Sequence, residues 1–204
     1  MIRVSFTKFL DFVAQKGEPK ATTALSAWRQ HNTPYDPRYD YHKRVRDLLI
    51  NYEKTQNEPD WDDFVSTQNA KKQSNYEDTI KCYRSWRKSY SDFTWFTPPK
   101  AKWSTSEFEV SVNPELGLIL DGKRIAIKLF INRNKLSPLK ANMAGLLMHQ
   151  ALFPTAPNIN YGVLDVKQKK LHVFSSATEK LEFLLVGESA HLSAMLEAIR
   201  GTSE

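Results

Sequence analysis

The chain has 204 residues, of which 41% are hydrophobic and 12% aromatic, so it carries enough apolar material for a sizeable core and is not a disordered protein. No apolar run approaches the ~18–20 residues that span a bilayer, which predicts no membrane contact. Asp11 interrupts the first apolar stretch and argues against a signal peptide, so we expect a cytoplasmic protein. A single cysteine, Cys82, excludes both an internal disulfide and a cysteine-rich zinc site.

The chain is basic, with 29 lysines and arginines against 23 acidic residues and a net charge of +6. Such a surplus favours an anionic partner, and nucleic acid is the commonest one. Many soluble proteins carry a similar surplus as plain solvated surface. The charge by itself therefore leaves both interpretations open.

The first hundred residues show mainly helical spacing. Phe6, Phe9, Leu10 and Val13 follow the i, i+3, i+4, i+7 pattern, which predicts an amphipathic helix. Gly17 stands where the left-handed residue that ends such a helix is expected.

Further helices are indicated by their start signals. A short one is predicted over residues 21–30. The next begins with Asp36 as N-cap and Pro37 as first helical residue. Ser74 and Glu77 have capping-box spacing, so they predict the start of another helix.

The sequence period changes near residue 100, where Pro98 and Pro99 end the helical part. Asp121-Gly122 is the dipeptide most favoured in tight hairpin turns, and it lies between two apolar runs. An antiparallel meander of three strands is therefore predicted, over residues 107–112, 116–120 and 124–131.

After the meander, Ser137 as N-cap and Pro138 at the first helical position predict a helix that crosses the sheet. Two strands are expected over residues 161–166 and 170–176, and the remaining chain is helical with a break at Gly187. The expected fold class is α+β.

In that fold a helical region of residues 1–100 packs on a mixed sheet, a crossing helix and C-terminal helices in residues 101–204. The two parts form either two domains or one compact unit.

Residues 107–166 resemble the PD-(D/E)XK nuclease-like superfamily in their order of meander, crossing helix and further strand. In that family an acid on the second strand, and another two residues before a lysine on the third, hold a divalent cation such as Mg²⁺. The resemblance places Glu115 at the first acid and Lys128 at the lysine, whereas Ala126 stands at the second acid and cannot bind a metal. It implies a degenerate site, with Mg²⁺ as cofactor only if the chain is an active nuclease.

Asp121 is the further carboxylate in this stretch, so the candidate catalytic residues are Glu115, Asp121 and Lys128. A second constellation is also open, because Asp165 and Lys167 have literal acid-x-lysine spacing with Asp121 upstream. The segment looks more like the rim of a hairpin, where charged residues are expected because they keep strand ends soluble. No two histidines have the helical spacing of a metal pair, and no metal ligand is assigned.

Basic and aromatic residues interleave around Tyr83 and Trp86, and basic residues cluster again at the start of the crossing helix. Cations beside aromatic rings or a helix N-terminus can bind backbone phosphate. The alternative is that the aromatic rings pack inward and the cations coat the surface. The candidate nucleic-acid-binding residues are Arg84, Arg87, Lys88, Arg133, Lys135 and Lys140.

Two functional hypotheses follow. The first is a nucleic-acid-associated protein with a nuclease-like but catalytically degenerate core, which binds DNA or RNA backbone and acts with partners in DNA processing or mobile-element defence. The second is a non-enzymatic interaction or adaptor protein without nucleic-acid binding, whose aromatic N-terminal helices dock another protein.

Overall fold

The computed structural model describes residues 1–34, 36, 40–91, 93–132 and 134–202, and their fold is α+β. Seven helices lie in this part of the chain: α1 Phe6–Ala14, α2 Glu18–His31, α3 Lys43–Thr55, α4 Trp61–Ser66, α5 Ala70–Arg87, α6 Pro138–Leu152 and α7 Glu179–Gly201. The strands are β1 Ile2–Ser5, β2 Thr94–Trp95, β3 Ala101–Ser104, β4 Phe108–Val112, β5 Leu116–Leu120, β6 Lys123–Phe130, β7 Asn160–Asp165 and β8 Lys170–Val173.

The strands form two sheets. The smaller sheet has the order β1-β4-β3, with β1 parallel and β3 antiparallel to β4. The larger has the order β2-β5-β6-β7-β8, and its pairs are antiparallel except for the parallel pair β6 and β7, which α6 connects. The predicted meander was wrong in one respect, because β4 leaves the β5–β6 hairpin and pairs with β1. Strand β1 lies about a hundred residues earlier in the chain, so the two halves of the sequence share a sheet.

Two hydrophobic cores lie on opposite sides of the larger sheet. The first joins the smaller sheet to α1, α2, α6 and α7, and the second joins β5 and β6 to α3, α4 and α5. Strand β6 contributes to both, since Ala126 lies in the first core and its neighbours Ile125 and Ile127 in the second. This follows from the alternation of side chains across a strand.

Several predicted elements are confirmed. Asp121 and Gly122 have positive φ angles of 49° and 76°, as the tight turn between β5 and β6 requires. Ser137 caps α6 by accepting a hydrogen bond from the Lys140 backbone N–H, and Pro138 is the first residue of that helix. Both features depend on the conformational preferences of neighbouring residues, so they form without long-range contacts.

Some predicted boundaries were wrong. Helix α3 begins at Lys43, after Asp40 rather than after Asp36, and Pro37 lies outside the described residues. Gly17 does have a positive φ, of 57°, but it precedes α2 as its N-cap instead of ending α1.

Helix α5 begins earlier than its capping-box prediction. The Asn69 side chain accepts a hydrogen bond from the Lys71 N–H and starts the helix at Ala70, so Ser74 and Glu77 lie inside it. At the other end of the chain, α7 continues through Gly187 without a break. A single glycine weakens a helix by only about 1 kcal/mol, which the packing of the surrounding residues outweighs.

None of the helices in the described part of the chain has the length and apolarity needed to cross a bilayer.

Gly145 in α6 and Gly187 in α7 make a matched test of this packing. An added Cβ at Gly145 would lie 2.5 Å from the Phe174 Cβ, whereas one at Gly187 meets no atom within 4 Å. We expect Gly145→Ala to lower the free energy of unfolding by about 1–3 kcal/mol despite the better helix propensity of alanine. Gly187→Ala should raise it by up to about 1 kcal/mol. Urea unfolding checks both, and equal effects would contradict the close approach of Phe174 to α6.

Candidate functional site

Glu115 lies immediately before β5, at the end of the hairpin where β6 finishes. Its backbone N–H donates to the Ile127 carbonyl over 2.9 Å, which holds the residue in the plane of the sheet. One carboxylate oxygen, Oε2, accepts a hydrogen bond of 2.8 Å from the Leu129 N–H. The other, Oε1, lies 2.5 Å from the Lys128 Nζ. Both oxygens are therefore engaged by β6.

The Glu115–Lys128 pair is largely removed from solvent, with side-chain exposures of 9% for Glu115 and 13% for Lys128. The Phe6 ring of α1 lies 5.5 Å from the Lys128 ammonium. On the α3 side, burial works to lower the pKa of Arg46, but the hydrogen bond and charge of Asp40 and the more distant Glu115 carboxylate raise it overall. Arg46 is therefore a second positive charge that interacts with Glu115, in addition to Lys128.

The structure brings Glu115 and Lys128 together but does not bring Asp121 to them. Asp121 occupies the turn at the opposite end of β5, six residues from Glu115, or about 20 Å at ~3.4 Å per residue. Ala126 is fully buried opposite Gly117. In the described residues no group of three or more His, Cys, Asp or Glu side chains is arranged to hold a metal ion.

The second constellation, Asp165 with Lys167, is divided between two structural roles. The buried Asp165 carboxylate accepts hydrogen bonds from the backbone N–H groups of Leu136, at 2.8 Å, and Gln168, at 3.2 Å. Lys167 instead reaches α5, where its Nζ lies 2.6 Å from the Asp78 carboxylate. Asp165 therefore holds the loops at the carboxyl ends of β6 and β7, and Lys167 connects the β7–β8 turn to α5.

The Glu115–Lys128 geometry has a direct chemical consequence. A divalent cation needs several hard oxygen ligands with free lone pairs. Here an ammonium group already neutralises the Glu115 carboxylate, and Ala126 adds no oxygen. The arrangement can carry charge and hold the hairpin in place, but it offers a metal ion no set of ligands.

The candidate arginines of α5 are engaged within the chain. Arg87 donates from Nε to the fully buried Glu53 carboxylate over 2.8 Å and lies 4.6 Å from the centre of the Phe93 ring. Arg84 lies 3.1 Å from the Glu58 carboxylate. Arg87 is therefore part of the α3–α5 packing, whereas Arg84 forms an exposed ion pair with the loop between α3 and α4.

The aromatic rings of the same segment point inward, since Tyr83 is fully buried and Trp86 is 2% exposed. Tyr83 also donates its hydroxyl to Glu53 over 3.0 Å, and burial raises the pKa of that hydroxyl well above its ordinary value. The interleaved pattern of this segment therefore arises from an aromatic core covered by cations. Rings in that position cannot stack on nucleotide bases.

The remaining basic candidates differ in their surroundings. Lys88 and Lys135 are exposed and make no ion pair with another described residue. Lys140 forms an ion pair with Asp11 and lies 5.6 Å from the centre of the Phe130 ring. Arg133 lies outside the described residues.

Two basic residues that sequence reasoning missed, Lys170 and His172, lie on β8, and the charge of Lys135 acts on His172. Burial lowers the pKa of His172 on β8, and the positive charges of Lys170 and Lys135 lower it further against the opposing charge of Asp165. We call the surface of Lys135, Lys170, His172 and the first turn of α6 the end face. It lies at the carboxyl ends of the parallel strands β6 and β7, where α/β sheets commonly bind ligands. No local sequence signal joins these residues, because β6, α6, β7 and β8 must first assemble.

Two further titratable residues lie near α5. Burial lowers the pKa of His42, and its buried Nδ1 has no hydrogen-bond partner among the described residues. Burial likewise raises the pKa of Cys82, whose thiol lies 3.7 Å from the Asp78 carboxylate. A raised pKa disfavours the thiolate, so Cys82 is a packing residue rather than a nucleophile.

Comparison with known proteins assigns no family. No protein-family model matches the sequence, and no curated protein matches it significantly.

The buried ion pair makes a stability prediction. Lys128→Met would leave the Glu115 carboxylate without its ammonium partner in a largely buried position, and we expect a loss of about 3 kcal/mol in the free energy of unfolding. The double change Glu115→Gln with Lys128→Met should recover most of that loss, because no uncompensated charge remains. Urea unfolding of the single and double variants measures the coupling.

A matched control is Lys102→Met, which removes the ammonium partner of Glu109. Lys102 is 64% exposed, so water screens the pair and the loss should be much smaller. Losses of similar size at Lys128 and Lys102 would contradict the buried character of the Glu115–Lys128 pair.

Proposed function

We propose that this protein is a nucleic-acid-associated protein with a nuclease-like core that has no metal-dependent catalysis. In this proposal it binds DNA or RNA backbone through a basic surface and acts with partners, in DNA processing or mobile-element defence. The core would serve as a scaffold for binding, and Mg²⁺ would not be required.

One observation carries the proposal: the Lys128 ammonium lies 2.5 Å from Glu115, where a nuclease-like core would place its cation. The surrounding topology supports the same interpretation. Strands β2, β5 and β6 run antiparallel in the larger sheet, α6 follows, and β7 returns parallel to β6. Strand β2 pairs with β5 where the predicted first strand, residues 107–112, was expected, although β3 and β4 lie between β2 and β5 in the sequence.

The end face is the best-supported site for phosphate. Lys135 and Lys170 are exposed there, beside the first turn of α6, where the helix dipole favours negative charge. Arg84 and Arg87 are less suitable because acidic partners already neutralise them. Among the basic residues named from the sequence, Lys135 is therefore the main phosphate-binding residue in this proposal.

A second candidate function is a purely protein-interaction role. The aromatic residues of α5 do not favour it, because Tyr76, Tyr83 and Trp86 are buried. The observation that does favour it lies on α7, where Phe183 and Val186 are each 67% exposed. A protein that binds another chain through α7, and no nucleic acid at low salt, would fit this alternative.

Binding to a short fluorescein-labelled DNA duplex and to single-stranded RNA, followed by fluorescence anisotropy, tests the first function. We expect measurable affinity at low salt that falls linearly on a log–log plot as salt rises, because phosphate contacts release counterions. The double variant Lys135→Glu with Lys170→Glu should reduce the slope by about 2 and weaken binding at least about tenfold.

The matched control changes the same net charge at two exposed lysines away from the end face, Lys16→Glu with Lys180→Glu. This variant should lose far less affinity. If the unchanged protein binds neither nucleic acid at low salt, the proposal is wrong. If both double variants lose the same affinity, the end face is not the nucleic-acid-binding surface.

Catalysis is tested separately by incubating the protein with nucleic acid and either Mg²⁺ or Mn²⁺. We expect no cleavage, since no set of oxygen ligands for the ion accompanies Glu115. Glu115→Ala and Lys128→Ala proteins, purified in parallel, identify any activity that arises elsewhere. Metal-dependent cleavage that disappears in both variants would show an active nuclease and refute the degenerate site.

A further inference from the structure

The outward side of α7 carries a row of exposed apolar residues between Phe183 and Ala198, which Gly187 and Glu197 interrupt. The opposite side of this helix packs against the first core through the buried residues Leu185, Leu192 and Leu196. At 100° per residue, the outward residues fall within an arc of about 120°. We call this surface the α7 outer face; all its members are exposed: Phe183, Val186, Ala190, Ala194 and Ala198.

An exposed apolar face of this kind marks an interaction surface. Phe183 and Val186, each 67% exposed, are the large residues, and both lie in the first half of the helix. The second half presents the small residues Ala190, Ala194 and Ala198, with the Glu197 carboxylate beside them. The face is therefore asymmetric along the helix, with large apolar side chains at one end and small side chains at the other.

We infer that the α7 outer face binds a second copy of this chain, with the two α7 helices antiparallel around a twofold axis near Ala190. In that arrangement Phe183 of each protomer packs on the alanines at the other end of its partner's helix, and the surfaces interlock. A parallel pair would place phenylalanine on phenylalanine and leave a gap between the alanines.

The charges beside the face fit the same arrangement. Glu182 and Arg200 are 18 residues apart, which is five turns of ~3.6 residues, so they lie on one flank of α7. A twofold axis midway between them puts each glutamate beside the arginine of the other protomer. Arg200 is available for this contact, because it is 51% exposed and its ion pair within the described residues, with Glu107, is 3.9 Å long.

The orientation decides whether these contacts form. In the antiparallel pair the two flanks lie on the same side of the dimer and both contacts are attractive. In a parallel pair the same flank would lie on opposite sides of the two helices, so neither contact could form. Shape and charge thus select the same geometry. One helix pair buries less than a standard interface, so we expect a reversible dimer with a micromolar dissociation constant.

Sedimentation equilibrium from about 1 to about 200 µM protein should show a mass that rises from monomer to dimer. Phe183→Asp should weaken the association at least about tenfold, since it places a charge in the apolar contact. Val173→Asp is the matched control, because Val173 is also exposed, at 48%, but lies on β8. It should leave the association unchanged.

Charge reversal identifies the partner and its orientation. Glu182→Lys and Arg200→Glu should each weaken self-association at least about tenfold, because each variant alone brings like charges together. An equimolar mixture of the two variants should associate almost as tightly as the unchanged protein, since both contacts become attractive again. A mixture that stays monomeric would overturn the proposal.

Cysteine cross-linking tests the register. Ala190→Cys lies near the axis and should form a disulfide with its own copy under mild oxidation, whereas two Ala198→Cys residues would be about 21 Å apart along the helices and should not. The unchanged protein, with only buried Cys82, supplies the background. A monomer at every concentration, or Ala198→Cys linking as readily as Ala190→Cys, would overturn the antiparallel dimer.

Discussion

Strand β6 faces a different hydrophobic core on each side, and this double burial determines where every other layer can lie. Ile125 and Ile127 face α3 and α5, whereas Ala126 faces α1 and α6. A shift of one residue in the pairing of β6 would exchange the two faces and put each set of side chains into the wrong core. The register of β6 against β5 and β7 is therefore the constraint on which the helical layers depend.

The same constraint positions the Glu115–Lys128 pair. Because Lys128 lies on the same face as Ala126, two residues later, its ammonium points towards α1 rather than into the second core. Glu115 meets it from the neighbouring strand, and both carboxylate oxygens are satisfied by β6. A buried pair of this kind contributes specificity more than net stability, because desolvation of the two charges opposes their attraction. Here it fixes the open end of the hairpin.

The distribution of positive charge follows the distribution of acidic partners. On α5 the arginines compensate Glu53 and Glu58, so the basic segment of that helix is a structural feature. At the end face Lys135 and Lys170 have no such neutralising partner among the described residues, and their charge remains available. The net charge of +6 is thus less informative than the places where it is left uncompensated. The apolar outer face of α7 adds a second available surface on another part of the molecule.

The sequence by itself determined the features that depend on neighbouring residues. These are the Asp121-Gly122 turn, the start of α6 at Ser137 and Pro138, the bounds of β5 and β6 to within a residue, and the α+β class. Turn chemistry and side-chain periodicity act over a few residues, so they can be read locally. Tertiary structure alone decided that β4 pairs with β1, that Arg87 neutralises Glu53, and that Lys167 pairs with Asp78 instead of joining Asp165. Each of these depends on which distant segments share a core, because burial and charge pairing act through space and leave no fixed spacing in the chain.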